Sequence, residues 1–185
     1  PRYIAGSLEK IPYYIAIDDL RLFKKQGVVR RLRPSQKTDI TTYNLTKNFN
    51  NLKQILDNTT EMIIIAGVHT PGKYLSAIPG TLKEIIQLTK EIRCKKILTG
   101  PAVYGTSAEG GRFFERADLS NFDKIKNFDF SYKEIKEFAC KGAEIIKQIP
   151  DLRVIELETG KGCPRGRGCS FCTEPLKNKV ENRDW

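Results

Sequence analysis

The sequence lacks any long apolar run, and this absence bounds the class of protein. No stretch of its 185 residues approaches the eighteen or more uncharged apolar residues that a membrane span needs. The first ten residues, PRYIAGSLEK, also lack the basic region followed by an apolar region that marks a secretory signal. Hydrophobic residues make up 39% of the chain, which is enough for a packed core. We therefore expect a cytoplasmic protein without a membrane partner.

Cysteine is scarce, and its distribution is uneven. The chain has five cysteines, an odd number, and two of them (Cys94 and Cys140) stand alone in segments with helix or strand patterns. The other three lie within residues 163–172. A secreted disulfide framework has an even number of cysteines distributed along the chain. The pattern instead favours a reducing compartment and a metal site.

Basic residues outnumber acidic ones, so a nucleic-acid partner has to be considered. The formal net charge is +10, with 32 Lys and Arg against 22 Asp and Glu. Such an excess is compatible with nucleic-acid binding. The basic residues are nevertheless spread along segments with helical patterns and along loops, and the cluster at residues 24–33 is typical of a charged helix end and turn. Solvated faces explain most of the charge, and we expect no nucleic-acid partner.

Strand and helix patterns alternate along the chain and predict an α/β fold. Apolar runs predict strands at residues 13–17, 61–67, 95–100 and 152–158. Amphipathic spacing predicts helices at 2–11 and 45–57 and helices that begin at Asp18, Thr81 and Ser131. Parallel strands need crossover connections, so this alternation indicates a Rossmann-like, flavodoxin-like parallel sheet flanked by helices. In such sheets the ligand lies at the carboxyl edge.

The cysteine-rich segment after the last predicted strand carries the strongest chemical signal. Cys163, Cys169 and Cys172 follow the spacing C-x5-C-x2-C, with glycines and a proline that let three thiolates converge on one centre. Convergent thiolates select zinc or an iron–sulfur cluster. A structural zinc site needs four ligands, and the only histidine, His69, is far away in the sequence. Three ligands leave one position open, which favours a reactive cluster, although zinc stays an alternative.

The cysteine-rich segment and several stretches before it resemble the sequences of a known enzyme family. The segments ETGKGCPR (158–165) and GCSFCTEP (168–175) resemble the cluster-binding loop of radical S-adenosylmethionine enzymes. Together with RYIAGSLEK (2–10), IAIDDLR (15–21), AGVHTPGKYL (66–75) and LTGPAV (98–103), they make most of the chain similar to archaeal members with a cobalamin-binding-like N-terminal domain. The resemblance implies a cobalamin-binding-like domain over residues 1–150, without its first strand, and a truncated start of the family's partial (β/α) barrel over 151–185.

The resemblance also implies a cofactor set. Cys163, Cys169 and Cys172 would hold a 4Fe-4S cluster whose open iron chelates S-adenosylmethionine, and Phe171 would pack near that cofactor. An electron donor would reduce the cluster, and the sulfonium would be cleaved to a deoxyadenosyl radical that acts on an unknown substrate. The spacing departs from the family's C-x3-C-x2-C, so we expect a different loop path. Only 13 residues follow Cys172, so most of the cofactor pocket would lie outside this chain.

Some residues have a chemical and a structural interpretation side by side. Arg165 and Arg167 would lower the pKa of nearby thiols and offset the negative charge of the cluster, or they are simply exposed charges of a loop.

GVHTPG (67–72) matches the second half of the cobalamin signature D-x-H-x-x-G, with Gly67 in place of the acid. We therefore expect His69 to line a ligand site rather than to bind cobalt. Gly100 stands where relatives contact the corrin tail, although close packing explains it equally well.

Two hypotheses of different classes result. The first is a piece of a radical S-adenosylmethionine enzyme with a 4Fe-4S cluster. The second is a basic zinc-binding module that contacts nucleic acid.

Overall fold

The structure, a computed structural model, describes residues 1–24, 42, 44–67, 80–104, 116–150, 160–165 and 180–182. Within these ranges three α-helices precede the first strand, and two more follow it. The helices are α1 (Arg2–Ser7), α2 (Ile17–Phe23), α3 (Leu52–Asp57), α4 (Leu82–Thr89) and α5 (Tyr132–Gly142). Segments of 3-10 helix cover Lys47–Asn51, Pro101–Tyr104, Arg116–Asn121 and Ala143–Gln148. None of the helices in the described ranges is long and apolar enough to cross a bilayer.

A small parallel sheet forms the centre of the fold. Its strands are β1 (Glu61–Ile65), β2 (Lys95–Thr99) and β3 (Lys124–Ile125), in the order β1-β2-β3. Ile63 lies opposite Ile97 in the first pair, and Leu98 lies opposite Ile125 in the second. The β-branched and leucine residues of β1 and β2 suit such a sheet, because their side chains pack against the helices that flank it. The predicted α/β class with a parallel sheet and flanking helices is confirmed.

The longer helices begin where their capping residues predict. The Thr81 hydroxyl accepts a hydrogen bond from the Glu84 backbone N–H at the start of α4. The Ser131 hydroxyl does the same with Glu134 at the start of α5, and the Glu134 carboxylate accepts from the Ser131 N–H at 2.8 Å. These side chains satisfy backbone donors that the first helical turn leaves unpaired. Both helix starts were therefore predictable from the sequence.

The predicted strand at residues 13–17 is wrong. This stretch has an extended backbone without strand pairing and runs directly into α2. The reason is that side-chain amides satisfy its backbone: the Tyr14 N–H donates to Gln148 Oε1 at 2.8 Å, and Asn48 Nδ2 donates to the Tyr14 carbonyl at 2.8 Å. Gln148 also donates to the Pro12 carbonyl at 3.0 Å. Two distant amides thus take the place of a neighbouring strand.

Other element boundaries also differ from the predictions. Helix α1 ends at Ser7 rather than at residue 11, since Leu8 already has extended backbone angles (φ −85°, ψ 155°). Strand β3 was not predicted, because two residues are too few for a periodic pattern. The predicted strand at 152–158, with which a barrel would begin, lies outside the described residues.

Candidate metal centre

A pair of short strands closes the cysteine-rich segment into a loop. Strand β4 (Gly160–Lys161) pairs antiparallel with β5 (Glu181–Asn182), so that Gly160 lies opposite Asn182. The pairing brings the two ends of residues 162–180 together. All three predicted cysteine ligands belong to this stretch. We call it the cysteine loop.

The first predicted ligand lies where the chain leaves β4. Gly162 has φ 76°, a left-handed conformation that glycine adopts without steric cost, and the chain turns there into Cys163. Cys163 is a half-buried free thiol, and Arg165 is exposed. Cys169, Cys172, Phe171 and Arg167 lie outside the described residues. The structure therefore locates one of the three predicted ligands, at the base of the loop.

The base of the cysteine loop is attached to helix α5. The Glu181 carboxylate accepts a hydrogen bond of 2.6 Å from the backbone N–H of Tyr132, the first residue of that helix. A carboxylate at a helix N-terminus is stabilised by the partial positive charge of the unpaired N–H groups. The closing strand of the loop is therefore linked to the helix that follows the parallel sheet.

Within the described ranges no group of three or more His, Cys, Asp or Glu side chains is arranged to hold a metal ion. Two of the three predicted ligands lie outside those ranges, so the three-cysteine site stays a prediction. The three cysteines would suit a cluster, because three thiolates match the ligand number of an iron–sulfur centre with an open iron.

Close backbone packing at the carboxyl edge of the parallel sheet explains why residue 100 is a glycine. Strands β1 and β2 continue there into a close backbone contact, in which the Ala66 N–H donates to the Thr99 carbonyl at 2.9 Å and the Ala102 N–H donates to the Ala66 carbonyl at 3.1 Å. Gly100 has φ 88°, and a Cβ atom at this position would lie 2.5 Å from the Ala66 carbonyl oxygen. Glycine is thus required without any ligand. His69, the other predicted residue of this edge, lies outside the described residues.

A buried charged cluster at the start of α4 was not predicted as a unit. The Arg21 guanidinium, 4% exposed, donates to both oxygens of Glu84 at 2.8 and 2.9 Å and to Asp18 at 2.7 Å. Such a bidentate pair fixes geometry as well as charge. Burial raises the pKa of Asp18 above its ordinary value, although the hydrogen bond from Arg21 opposes this effect. The cluster joins α2 to the first turn of α4.

Asp19 has a separate structural role. Its fully buried carboxylate accepts hydrogen bonds from the Thr46 hydroxyl at 2.9 Å, from the Leu45 N–H at 2.8 Å and from the Ala16 N–H at 3.0 Å. It thereby joins the start of α2 to the segment that leads to α3. The only sequence signal was the acidic start of IDDLRLF (17–23), which predicts a helix start and says nothing about these distant partners.

A cleft of about 190 Å³ lies on another side of α4. It is lined by Ile86, Thr89, Lys90, Lys96, Asn121 and Phe122. These residues stand at the end of α4 and before or at the start of β2 and β3, toward the amino edge of the sheet. None of the predicted site residues lines it.

Comparison with known proteins gives relatives in archaea. No protein-family model matches the chain, and no solved structure matches it significantly. An uncharacterised protein of Methanocaldococcus jannaschii is 35% identical over 206 aligned positions, which cover 96% of this chain and 34% of the relative. An uncharacterised protein of Archaeoglobus fulgidus is 31% identical over 189 positions, which cover 94% of this chain and 30% of the relative. The chain thus spans about a third of the length of these curated relatives.

Proposed function

We propose that the chain is part of a radical S-adenosylmethionine enzyme and binds a 4Fe-4S cluster through Cys163, Cys169 and Cys172. The observation that carries the proposal is the β4–β5 pairing, because it joins the two ends of the stretch of sequence that contains all three cysteines. A loop whose ends are already joined loses less conformational entropy when its thiols converge on a metal. The half-buried Cys163 at the base of that loop would be the first ligand.

The number of thiolates decides what the site would do. Three cysteine ligands leave one iron open, and the bound cluster would supply that iron to chelate S-adenosylmethionine and one electron to cleave its sulfonium. The electron comes from an external one-electron donor. Arg165, exposed close to Cys163, would offset part of the negative charge of the cluster.

The domain division follows from the same proposal. Residues 1–150 would form a Rossmann-like, cobalamin-binding-like domain, for which the parallel order β1-β2-β3 is the support. Residues 151–185 would begin the partial barrel that carries the cluster. The location would be cytoplasmic, where thiolate ligands stay reduced.

Electron paramagnetic resonance of the reduced, anaerobically reconstituted protein, extended beyond Trp185 so that the rest of the cofactor pocket is present, tests the proposal. We expect a cluster signal that changes when S-adenosylmethionine is added and that is lost in Cys163→Ala. Cys140→Ala, which removes an exposed cysteine of α5, is the matched control and should keep the signal. A cluster signal that does not respond to S-adenosylmethionine would contradict the proposed cofactor.

A colourless protein with bound zinc would contradict the cluster itself. That outcome favours the second hypothesis, a zinc-binding basic module. Nucleic-acid binding by the same preparation, weakened strongly by salt, would then support this alternative.

A further inference from the structure

We propose that Glu181 is a positioning residue for the cysteine loop: its carboxylate holds the base of the loop on helix α5 before any metal binds. This inference rests on the proposed function for the identity of the bound group. The attachment itself depends only on the contacts of described residues. Glu181 would act through the backbone of the loop and would not itself be a metal ligand.

The first argument is the weakness of the β4–β5 pair by itself. Each strand has two residues, and an isolated two-stranded hairpin is at best marginally stable in water. Both β5 residues lie toward the surface, since Glu181 is half-buried and Asn182 is exposed. The pair therefore needs an attachment to a larger element.

The second argument is the geometry of that attachment. The Tyr132 N–H donates to the Glu181 carboxylate at 2.6 Å, and a hydrogen bond to an ionised acceptor is shorter and stronger than one between neutral groups. The donor belongs to an 11-residue helix whose start is already fixed by the capping box of Ser131 and Glu134. Helix α5 is in turn packed against α1, where Gly6 and Gly142 allow close backbone contact. A small strand is thus attached to a well-supported helix.

The position of Glu181 within the pair connects this contact to the first predicted ligand. Glu181 lies opposite Lys161, and Cys163 follows two residues later along the chain. Residues that orient a metal ligand from outside the coordination shell typically change metal affinity by about 10- to 100-fold when they are removed. Glu181 acts on Cys163 only through the backbone of Lys161 and Gly162, so we expect an effect at the lower end of this range, about tenfold.

Amide hydrogen exchange on the full, metal-free chain tests the attachment. Glu181→Ala removes the acceptor, and we expect the amides of residues 160–163, 165 and 180–182 to exchange about tenfold faster. Glu144→Ala is the matched control, because Glu144 is an exposed glutamate that pairs with Lys147 on the surface. It should leave exchange in the loop base unchanged.

A second pair of variants removes the donor instead. Tyr132→Pro deletes the backbone N–H at the first helical position, where proline is well tolerated. The preceding Ser131 has φ −63° and ψ 158°, angles that a residue before proline readily adopts. Tyr132→Ala keeps the N–H and removes the same ring. We expect faster exchange of the loop base in Tyr132→Pro than in Tyr132→Ala, and no further increase when Glu181→Ala is added to Tyr132→Pro.

Iron release then tests the link to the metal site. After anaerobic reconstitution, we expect Glu181→Ala to lose iron to a chelator about tenfold faster than the parent and Glu144→Ala. If the parent takes up no iron, the proposed function fails. The exchange measurements still show whether Glu181 holds the base of the cysteine loop on helix α5. Unchanged exchange in both Glu181→Ala and Tyr132→Pro would overturn the inference. Faster exchange with unchanged iron release would overturn the positioning role.

Discussion

Arg21 connects the buried carboxylate of Asp18 to the partly buried carboxylate of Glu84, and the stability of the fold should depend on it at the scale of a single residue. Removal of one partner from a buried charged cluster leaves the others unpaired, which typically costs about 3–5 kcal/mol. We expect Arg21→Met to lower the free energy of unfolding by about 3 kcal/mol in urea denaturation. Lys147→Met removes an exposed partner of Glu144 and should cost less than about 1 kcal/mol. Equal losses in the two variants would contradict the role of the cluster.

The buried carboxyl group of Asp18 should make the stability of the fold depend on pH. Burial raises its folded-state pKa above the unfolded value of about 3.9. The folded state therefore binds the Asp18 proton more tightly than the unfolded state does. The stability that this proton contributes is fully present below the unfolded-state pKa and is lost as pH rises through the folded-state pKa. Asp18→Asn keeps an oxygen acceptor for Arg21 and does not titrate.

The measurement is urea denaturation of parent and Asp18→Asn from about pH 3 to pH 7. As pH rises through the folded-state pKa, the stability of Asp18→Asn relative to the parent should increase. A relative stability that decreases over the same range would show that the folded state favours the charged carboxylate. Asp57→Asn, a substitution at an exposed carboxylate, serves as the matched control.

Gly100 is predicted to tolerate no side chain. Alanine at φ 88° is strained by about 1–2 kcal/mol, and its Cβ would also lie 2.5 Å from the Ala66 carbonyl oxygen. We expect Gly100→Ala to lower the free energy of unfolding by at least about 2 kcal/mol, measured by chemical denaturation. In Gly160→Ala the new Cβ would lie 3.2 Å from the end of the Asn182 side chain, which can move, so the loss should be smaller. The opposite order would contradict the packing explanation.

At the scale of elements, α1 and α5 form a helix pair that depends on two glycines. A Cβ atom at Gly142 would lie 1.9 Å from the Arg2 carbonyl oxygen, and one at Gly6 would lie 1.9 Å from the Phe138 carbonyl oxygen. The helix backbones therefore approach more closely than any side chain allows.

We expect Gly142→Ala to displace α1 and to speed amide exchange in residues 2–7 by about tenfold or more. Lys136→Ala, a change on the exposed side of the same helix, should leave exchange in α1 within about twofold of the parent. Unchanged exchange in Gly142→Ala would mean that the pair adapts to a larger residue.

The sequence predicted those elements whose signals are local. Thr81 and Ser131 give helix starts because a cap and its acceptor lie within one turn. The strand at 61–65 follows from a continuous β-branched run. The extended stretch around Tyr14 was predicted as a strand because its composition suits one, whereas Asn48 and Gln148, which decide its pairing, are distant in the sequence.

The candidate site was predictable to a similar extent. The cysteine spacing identifies Cys163 as a ligand candidate without reference to the fold. The attachment of the loop through Glu181 to Tyr132 joins residues that are 49 positions apart, and no local pattern indicates it. The same reason explains why the contact between Arg21 and Glu84, 63 positions apart, was missed.

At the scale of the whole molecule, the parallel sheet and the cysteine loop are connected through α5. The sheet continues from β3 into this helix, and the first residue of the helix holds the closing strand of the loop. A metal bound in the loop would therefore add stability to a body that already includes α1 and α5. The archaeal relatives are about three times as long, since the chain covers 34% and 30% of them.

Iron and sulfide analysis of the anaerobically reconstituted chain tests the central claim most directly. The comparison is between the parent, a variant with Cys163, Cys169 and Cys172 changed to Ala, and a control with Cys94 and Cys140 changed to Ala. The account predicts about four irons and four sulfides per chain in the parent and the control, and none in the triple variant. Zinc without iron or sulfide in the parent would contradict it.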